Sequence, residues 1–318
     1  MAPPPRPTSP PGSRPRPSAE SGVHEPLPPD LAVAVARAVG DPVRRTRLAG
    51  VGPGGAELCE GPGGRVVAKL PAGAVERALY RDLGPSLAEA GVRLPGLLGH
   101  GEDGGGWLLL EHVPDEVEWQ AAGAEADALA QLAALHQAGQ GGRLDGLWPA
   151  FRFAWTRRMN VAAAESLPPP ARAASLTRLE TLRATARHLF APACLVHGDP
   201  NRTNWRREAS RLPVLVDWER AGYGHPAVDL GIFLPGLPHR ERAEEAAVAY
   251  LRLRTDLRPG SWRGLGHSLL LVKAWSCAEF LWQGQRHPDH PGVRAASAFL
   301  RERLPAWLDG LDAVAEEA

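Results

Sequence analysis

The segment Leu195-Val196-His197-Gly198-Asp199-Pro200-Asn201-Arg202-Thr203-Asn204 decides the reading of this chain. An apolar pair delivers a carboxylate, Asp199, onto a polar loop, and an asparagine, Asn204, follows within the same loop. Downstream, the strand-like run Val214-Leu215-Val216 delivers a second carboxylate, Asp217, followed by Trp218 and Glu219. Phosphoryl transfer asks for little covalent chemistry. It needs a group to orient the attacking hydroxyl and ligands for the metal that neutralises a triphosphate. Mg²⁺ takes oxygen ligands and keeps several waters, so one carboxylate and one amide oxygen suffice. Asp199 suits the first task; Asn204 and Asp217 suit the second.

These residues resemble the aminoglycoside phosphotransferase and choline kinase family, whose catalytic loop reads HGDxxxxN. His197, Gly198, Asp199 and Asn204 match that loop, and Asp217, Trp218 and Glu219 match the metal-binding segment. Gly224, Pro226, Asp229 and Leu230 match a following Gly-x-Pro-x-x-Asp-Leu pattern. The resemblance implies a two-lobed, protein-kinase-like α+β fold with a small strand-rich N-terminal lobe and a larger, mostly helical C-terminal lobe. It implies ATP or another nucleoside triphosphate and Mg²⁺ as cofactors, and a small-molecule hydroxyl as acceptor. Asp199 is then the catalytic base, Asn204 and Asp217 are the metal ligands, and Asp229 braces the catalytic loop. Thr203 stands where the family often has Gly, and His225 where it often has an acid; neither removes a required group.

Upstream, basic residues are used selectively. Of 36 Lys and Arg residues only Lys69 and Lys273 are lysines. Lysine's compact point charge and arginine's planar fork do different work at a phosphate. Lys69 ends the strand-like run Val66-Val67-Ala68, where kinase-type folds hold the α- and β-phosphates. Glu76, at the start of the next helix, is placed to pair with it, and Glu76 with Tyr80 fits the family's Glu-x-x-x-Tyr pattern. Lys273, inside an apolar helix, is expected to carry its charge to the surface along its stem. The Gly-rich stretch Ala49–Gly55 precedes Lys69 and can expose N–H donors to phosphate. By the resemblance, Leu110–Val113 is the hinge, with the Glu111 carbonyl and Val113 N–H meeting adenine.

Elsewhere the periodicity places a helix at Leu31–Val39 capped by Asp30, and strands at 45–49, 56–60, 65–70, 96–100 and 107–112. Val75, Leu79, Leu83 and Leu87 mark an amphipathic helix. Leu129, Leu132, Ala133 and His136 mark another, with His136 as a core histidine. Further helices are expected at 151–164, 172–189, 240–254, 263–283 and 293–314, with one β patch made of 194–196 and 213–216. The divisions are a proline-rich disordered tail over 1–29, a nucleotide-binding lobe over 30–113 and a helical lobe over 114–318. Trp155, Trp275, Glu279 and Trp282 are candidate walls for the acceptor, although an aromatic core stripe explains the last three as well.

Composition narrows the alternatives. The 36 basic and 36 acidic residues cancel, so no global field favours nucleic acid or a membrane surface. Cys59, Cys194 and Cys277 lie far apart, with no disulfide framework or zinc spacing, and no apolar leader opens the chain; a cytoplasmic enzyme is expected. An alternative is a catalytically inactive nucleotide-binding regulator of the same fold. A dinuclear phosphohydrolase on His197, Asp199, Asp217 and His225 is short of ligands. Oligomeric state leaves no trace in the sequence.

Overall fold

The computed structural model describes residues 25–48, 55–140, 149–208, 212–257 and 264–311. Most of the proline-rich tail and all but Gly55 of the Gly-rich stretch lie outside the described residues.

Helix α1 (Pro29–Val39) opens with Pro at its first position, where a missing N–H costs nothing, and stops at Gly40. Asp30 sits inside the first turn rather than at the cap, and Pro28 takes the cap position. Its carboxylate instead accepts from Leu31 N–H at 2.8 Å and Trp107 Nε1–H at 2.7 Å. The predicted cap is thus a tie between α1 and a strand.

Five strands form an antiparallel sheet in the order β1-β2-β3-β5-β4. They are β1 (Arg44–Arg47), β2 (Gly55–Gly61), β3 (Gly64–Leu70), β4 (Leu97–Gly101) and β5 (Trp107–Glu111). Alternation along β3 divides its labour: Val66 and Ala68 join Leu31, Val35 and Val39 in a small core beneath α1, while Lys69 falls on the opposite face. Between β3 and β4 the predicted amphipathic helix exists but is interrupted. It runs as α2 (Ala74–Ala78), a π turn over Leu79–Leu83, and α3 (Gly84–Glu89). Gly84 N–H reaches back to Leu79 O, and Pro85, next in line, has no N–H to offer.

The rest is helical around one long buried helix. β6 (Asp115–Glu116) leads to α4 (Ala124–Ala138), α5 (Arg157–Ser166) and α6 (Arg172–Thr185). α5 begins later than expected because Thr156 caps it, accepting from Met159 N–H at 3.3 Å. The single β patch expected from sequence is two sheets: β7 (Cys194–Val196) pairs with β10 (Gly222–Gly224), whereas β9 (Val214–Leu215) pairs with β8 (Trp205–Arg207), itself paired with β6. The polar sequence of β8 hid it. α7 (Ala227–Phe233), α8 (Arg240–Leu253), α9 (Leu265–Gly284) and α10 (Pro291–Gly310) complete the order.

α9 is buried along nearly its whole length, with Trp275, Leu269 and Val272 fully covered. Lys273 is buried with it, at 6% exposure, and does not reach solvent. Its ammonium donates to Leu234 O at 2.6 Å, just past the end of α7, and burial depresses its pKa. A mid-helix lysine with apolar neighbours on every side has no surface within reach of its stem. No helix among the described residues is long and apolar enough to cross a membrane.

Candidate active site

β3 carries Lys69 into contact with two carboxylates, one seven residues further along the chain and one 148 residues further. Lys69 Nζ lies 2.6 Å from Glu76 Oε2 and 2.8 Å from Asp217 Oδ1. Glu76 is 1% exposed and also accepts the backbone N–H of Trp218 at 3.2 Å. Burial works against the charge on Lys69, but Glu76 and Asp217 outweigh it and hold the pKa above its ordinary value. Lys69 is therefore a fixed cation at neutral pH.

Asp217 follows β9 with φ of 68°, the only non-glycine among the described residues in the left-handed region. Asp tolerates this conformation better than most residues, at some cost in strain. Trp218, fully buried, anchors the turn: its Nε1–H donates to Leu215 O at 2.9 Å and its ring meets His197 at 4.6 Å. Glu219 is exposed beside it.

The loop after β7 supplies the other groups. Asp229, buried on α7, accepts His197 N–H and Gly198 N–H, each at 2.8 Å. Gly198 has φ of 82° and lies so close to Arg220 O and Phe153 that a Cβ would collide. His197 is structural here: Nε2 faces Val216 O at 3.1 Å, and Nδ1 accepts Asp199 N–H at 3.2 Å. Asp199 is held by Asn201, whose Nδ2 donates to Oδ1 at 2.9 Å. Burial pushes the Asp199 carboxyl up to about 6, against the pull of Asn201 and Arg220.

Asn204 spends its amide N–H on Asp199, reaching the backbone oxygen at 2.8 Å and Oδ2 at 3.3 Å. That leaves its Oδ1 as the outward group. Val216 N–H donates to Asn204 O at 2.9 Å, so the asparagine and Asp217 stand beside each other across one backbone bond. One amide oxygen and one carboxylate form a hard-oxygen donor set that fits Mg²⁺.

Glu111 and Val113 lie away from this cluster. In the β3–β5 register Lys69 opposes Leu108 and Val66 opposes Glu111, so Glu111 is about 10 Å along the sheet from Lys69. The Glu111 side chain is exposed, and its N–H is engaged by Gly96 O at 2.8 Å.

Two groups near Asp199 were less legible. Arg220 pairs with Glu279 of α9 at 2.6 Å and stacks over Phe151 at 4.8 Å. Glu279 is a buried core-edge carboxylate paired toward the loop. Trp275 is fully buried, its Nε1–H given to Ala154 O at 3.1 Å, and serves the core rather than a pocket wall. Arg220, three residues past Asp217, carries no pattern that marks its partner in advance.

Residues 58–264 match the model of the phosphotransferase enzyme family, and the chain belongs to that family. No curated protein sequence matches it. Among solved structures, spectinomycin phosphotransferase in complex with ADP and spectinomycin aligns with a TM-score of 0.61 at 11% identity, covering 91% of this chain and 99% of that one. The microcompartment-associated aminopropanol kinase aligns at 0.61 and 16%, covering 90% and 96%. A choline/ethanolamine kinase family protein from Mesorhizobium loti aligns at 0.55 and 18%, covering 89% and 98%. The fold is the two-lobed, protein-kinase-like α+β arrangement, and the protein is a small-molecule phosphotransferase.

Proposed function

We propose that this enzyme moves the γ-phosphate of ATP, or of another nucleoside triphosphate, onto a hydroxyl of a small molecule with Mg²⁺ as cofactor. The observation that carries the reading is the Lys69 ammonium bridging Glu76 and Asp217 beside the loop of Asp199 and Asn204.

Each residue has one task in this reading. Asp199 accepts a hydrogen bond from the acceptor hydroxyl, orients its lone pair and takes its proton as the new phosphorus–oxygen bond forms and the bond from the γ-phosphorus to the bridging oxygen breaks, the nucleoside diphosphate leaving with that oxygen. Asn204 Oδ1 and the Asp217 carboxylate hold Mg²⁺, which neutralises charge on the triphosphate. Lys69, positioned by Glu76, meets the α- and β-phosphates. The Glu111 carbonyl and the Val113 N–H receive adenine at the far end of β5. Residues 30–113 then form the nucleotide lobe and 114–318 the helical lobe that receives the acceptor.

The acceptor class is an antibiotic such as an aminoglycoside, or an amino alcohol or sugar. Structural neighbours acting on spectinomycin and aminopropanol support a compact hydroxylated acceptor. The buried, unpaired cysteines support a reducing, cytoplasmic setting.

The test is transfer of γ-³²P from ATP across a panel of aminoglycosides, other antibiotics, amino alcohols and sugars. Asp199→Asn should lower turnover by about 10²- to 10⁴-fold while ATP binding persists. Unchanged turnover in that variant would remove Asp199 from the role of base.

A further inference from the structure

A file of buried hydrogen bonds runs from the catalytic loop to the end of α8, and its outer members have no assigned role. It begins at Asp229, whose two oxygens hold the His197 and Gly198 amides. Behind Asp229, His136 Nε2 meets Oδ2 at 3.0 Å and His136 Nδ1 meets the Tyr250 hydroxyl at 2.9 Å. Arg254 Nη1 in turn meets the Tyr250 oxygen. His136, Asp229 and Tyr250 are fully buried, and Arg254 is 3% exposed.

Elementary donor chemistry gives every bond in the file a direction. The Asp229 carboxylate only accepts, so His136 Nε2 carries the proton. Burial keeps the imidazole below its ordinary pKa and therefore neutral, which leaves Nδ1 as an acceptor. The Tyr250 hydroxyl must then donate to Nδ1, and its oxygen is free to accept. Arg254 can only donate. All bonds point from Arg254 toward Asp229, and aligned bonds in a buried, low-dielectric interior polarise one another.

The outer end is fixed as well. Arg254 Nε and Nη2 donate to the two oxygens of Asp256, both at 2.8 Å, and Nη2 also reaches Gln140 Oε1 at 2.9 Å. The guanidinium therefore sits between the end of α8 and the residue just past α4. Gly198, at the inner end, has a left-handed backbone that only a strained non-glycine could adopt, and its N–H has Asp229 as partner.

We propose that Tyr250 and Arg254 are positioning residues for phosphoryl transfer, holding the His136 ring in place and, through Asp229, the peptide planes that present Asp199. This rests on Asp199 being the base. A purely structural role would change stability alone; a positioning role changes the hydrogen bonding of His136 Nδ1 and the loop amides of a fully folded protein.

Tyr250→Phe removes one oxygen and is the first variant. Nitrogen-15 NMR of the histidine-labelled full chain should show a neutral Nε2–H His136 in the parent and a shifted Nδ1 resonance in the variant. Exchange of the Gly198 amide should rise about tenfold. With Mg-ATP and water as the acceptor, kcat for ATP hydrolysis should fall about tenfold while KM for ATP stays within twofold. Arg254→Lys, which keeps a donor, should retain more of that kcat than Arg254→Met, and stands in if Tyr250→Phe fails to fold. Unchanged His136 resonances and Gly198 exchange in folded variants overturn the proposal, and so does altered NMR with unchanged kcat. A parent that shows the NMR pattern yet neither hydrolyses nor transfers phosphate counts against the proposed reaction instead, and leaves the hydrogen-bond file standing.

Discussion

Lys69 and Asp217, 148 residues apart in the chain, meet at 2.8 Å. The bond joins the β3 strand of the five-stranded sheet to the turn that follows β9. Glu76 completes the contact from α2, and the Oε1 that takes the Lys69 ammonium also accepts the Trp218 amide. The two halves of the fold are thus stitched at one ammonium group.

Lys69→Met removes the partner of a nearly solvent-free Glu76 carboxylate. The loss of one member of a buried pair costs about 3–5 kcal/mol, with Lys69's residual exposure favouring the lower end. Glu76→Gln should cost less, because Asp217 still pairs with Lys69. Urea midpoints without nucleotide measure both; equal losses would show that the pair does not stabilise the fold as argued.

Asp217→Asn keeps a side chain suited to the left-handed backbone and removes the charge. In the parent, ATP with Mg²⁺ at a hundredfold excess over Kd should stabilise by about 2.7 kcal/mol. The variant should lose the Mg²⁺-dependent part of that gain in a thermal-shift titration. A Mg²⁺-dependent gain equal to the parent's would take Asp217 out of the metal site.

Acid should unfold the protein through its buried histidines. Burial depresses His197 to about 4 and His225 to about 3, so both are neutral in the native state. In the unfolded chain each takes up a proton near pH 6.5, so stability is full above that pH. It is lost as pH falls from there toward the native values, by about 1.4 kcal/mol per pH unit for each histidine. Urea midpoints should fall between pH 7.5 and 4.5, and His225→Asn should take about 1.4 kcal/mol per pH unit out of the slope below pH 6.5.

Gly231, on α7, packs against α9 so closely that a Cβ would lie 2.7 Å from Val272 and 2.8 Å from Leu269 O. One contact is backbone and cannot rotate away. Gly231→Ala should therefore destabilise by about 1–3 kcal/mol despite alanine's better helix propensity. A neutral or stabilising result in chemical denaturation would mean that α7 and α9 can slide apart.

Much was readable one residue after another. The run from Leu195 to Asn204 and the strand before Asp217 announced themselves because a loop's chemistry is written in adjacent positions, and Val66–Lys69 showed its strand as a short apolar run ending in a lysine. The interrupted helix over 74–89 was legible as an apolar stripe, but its π turn was not, since Pro85 acts through a missing hydrogen bond. β8 went unseen because a short polar strand takes its structure from its neighbours in the sheet rather than from its own pattern.

The ordered motifs by themselves therefore determined the reaction class and the two-part α+β plan, since those depend on residue type at fixed local spacing. Only the tertiary structure decided that Lys273 is buried against Leu234, that Arg220 belongs to Glu279, that Asp217 adopts a left-handed backbone, and that Tyr250 stands behind His136. Each of these is a pairing or strain set by distant segments packing together. Such contacts leave no periodic mark along the chain, because nothing in a residue's immediate neighbours specifies what will fold against it.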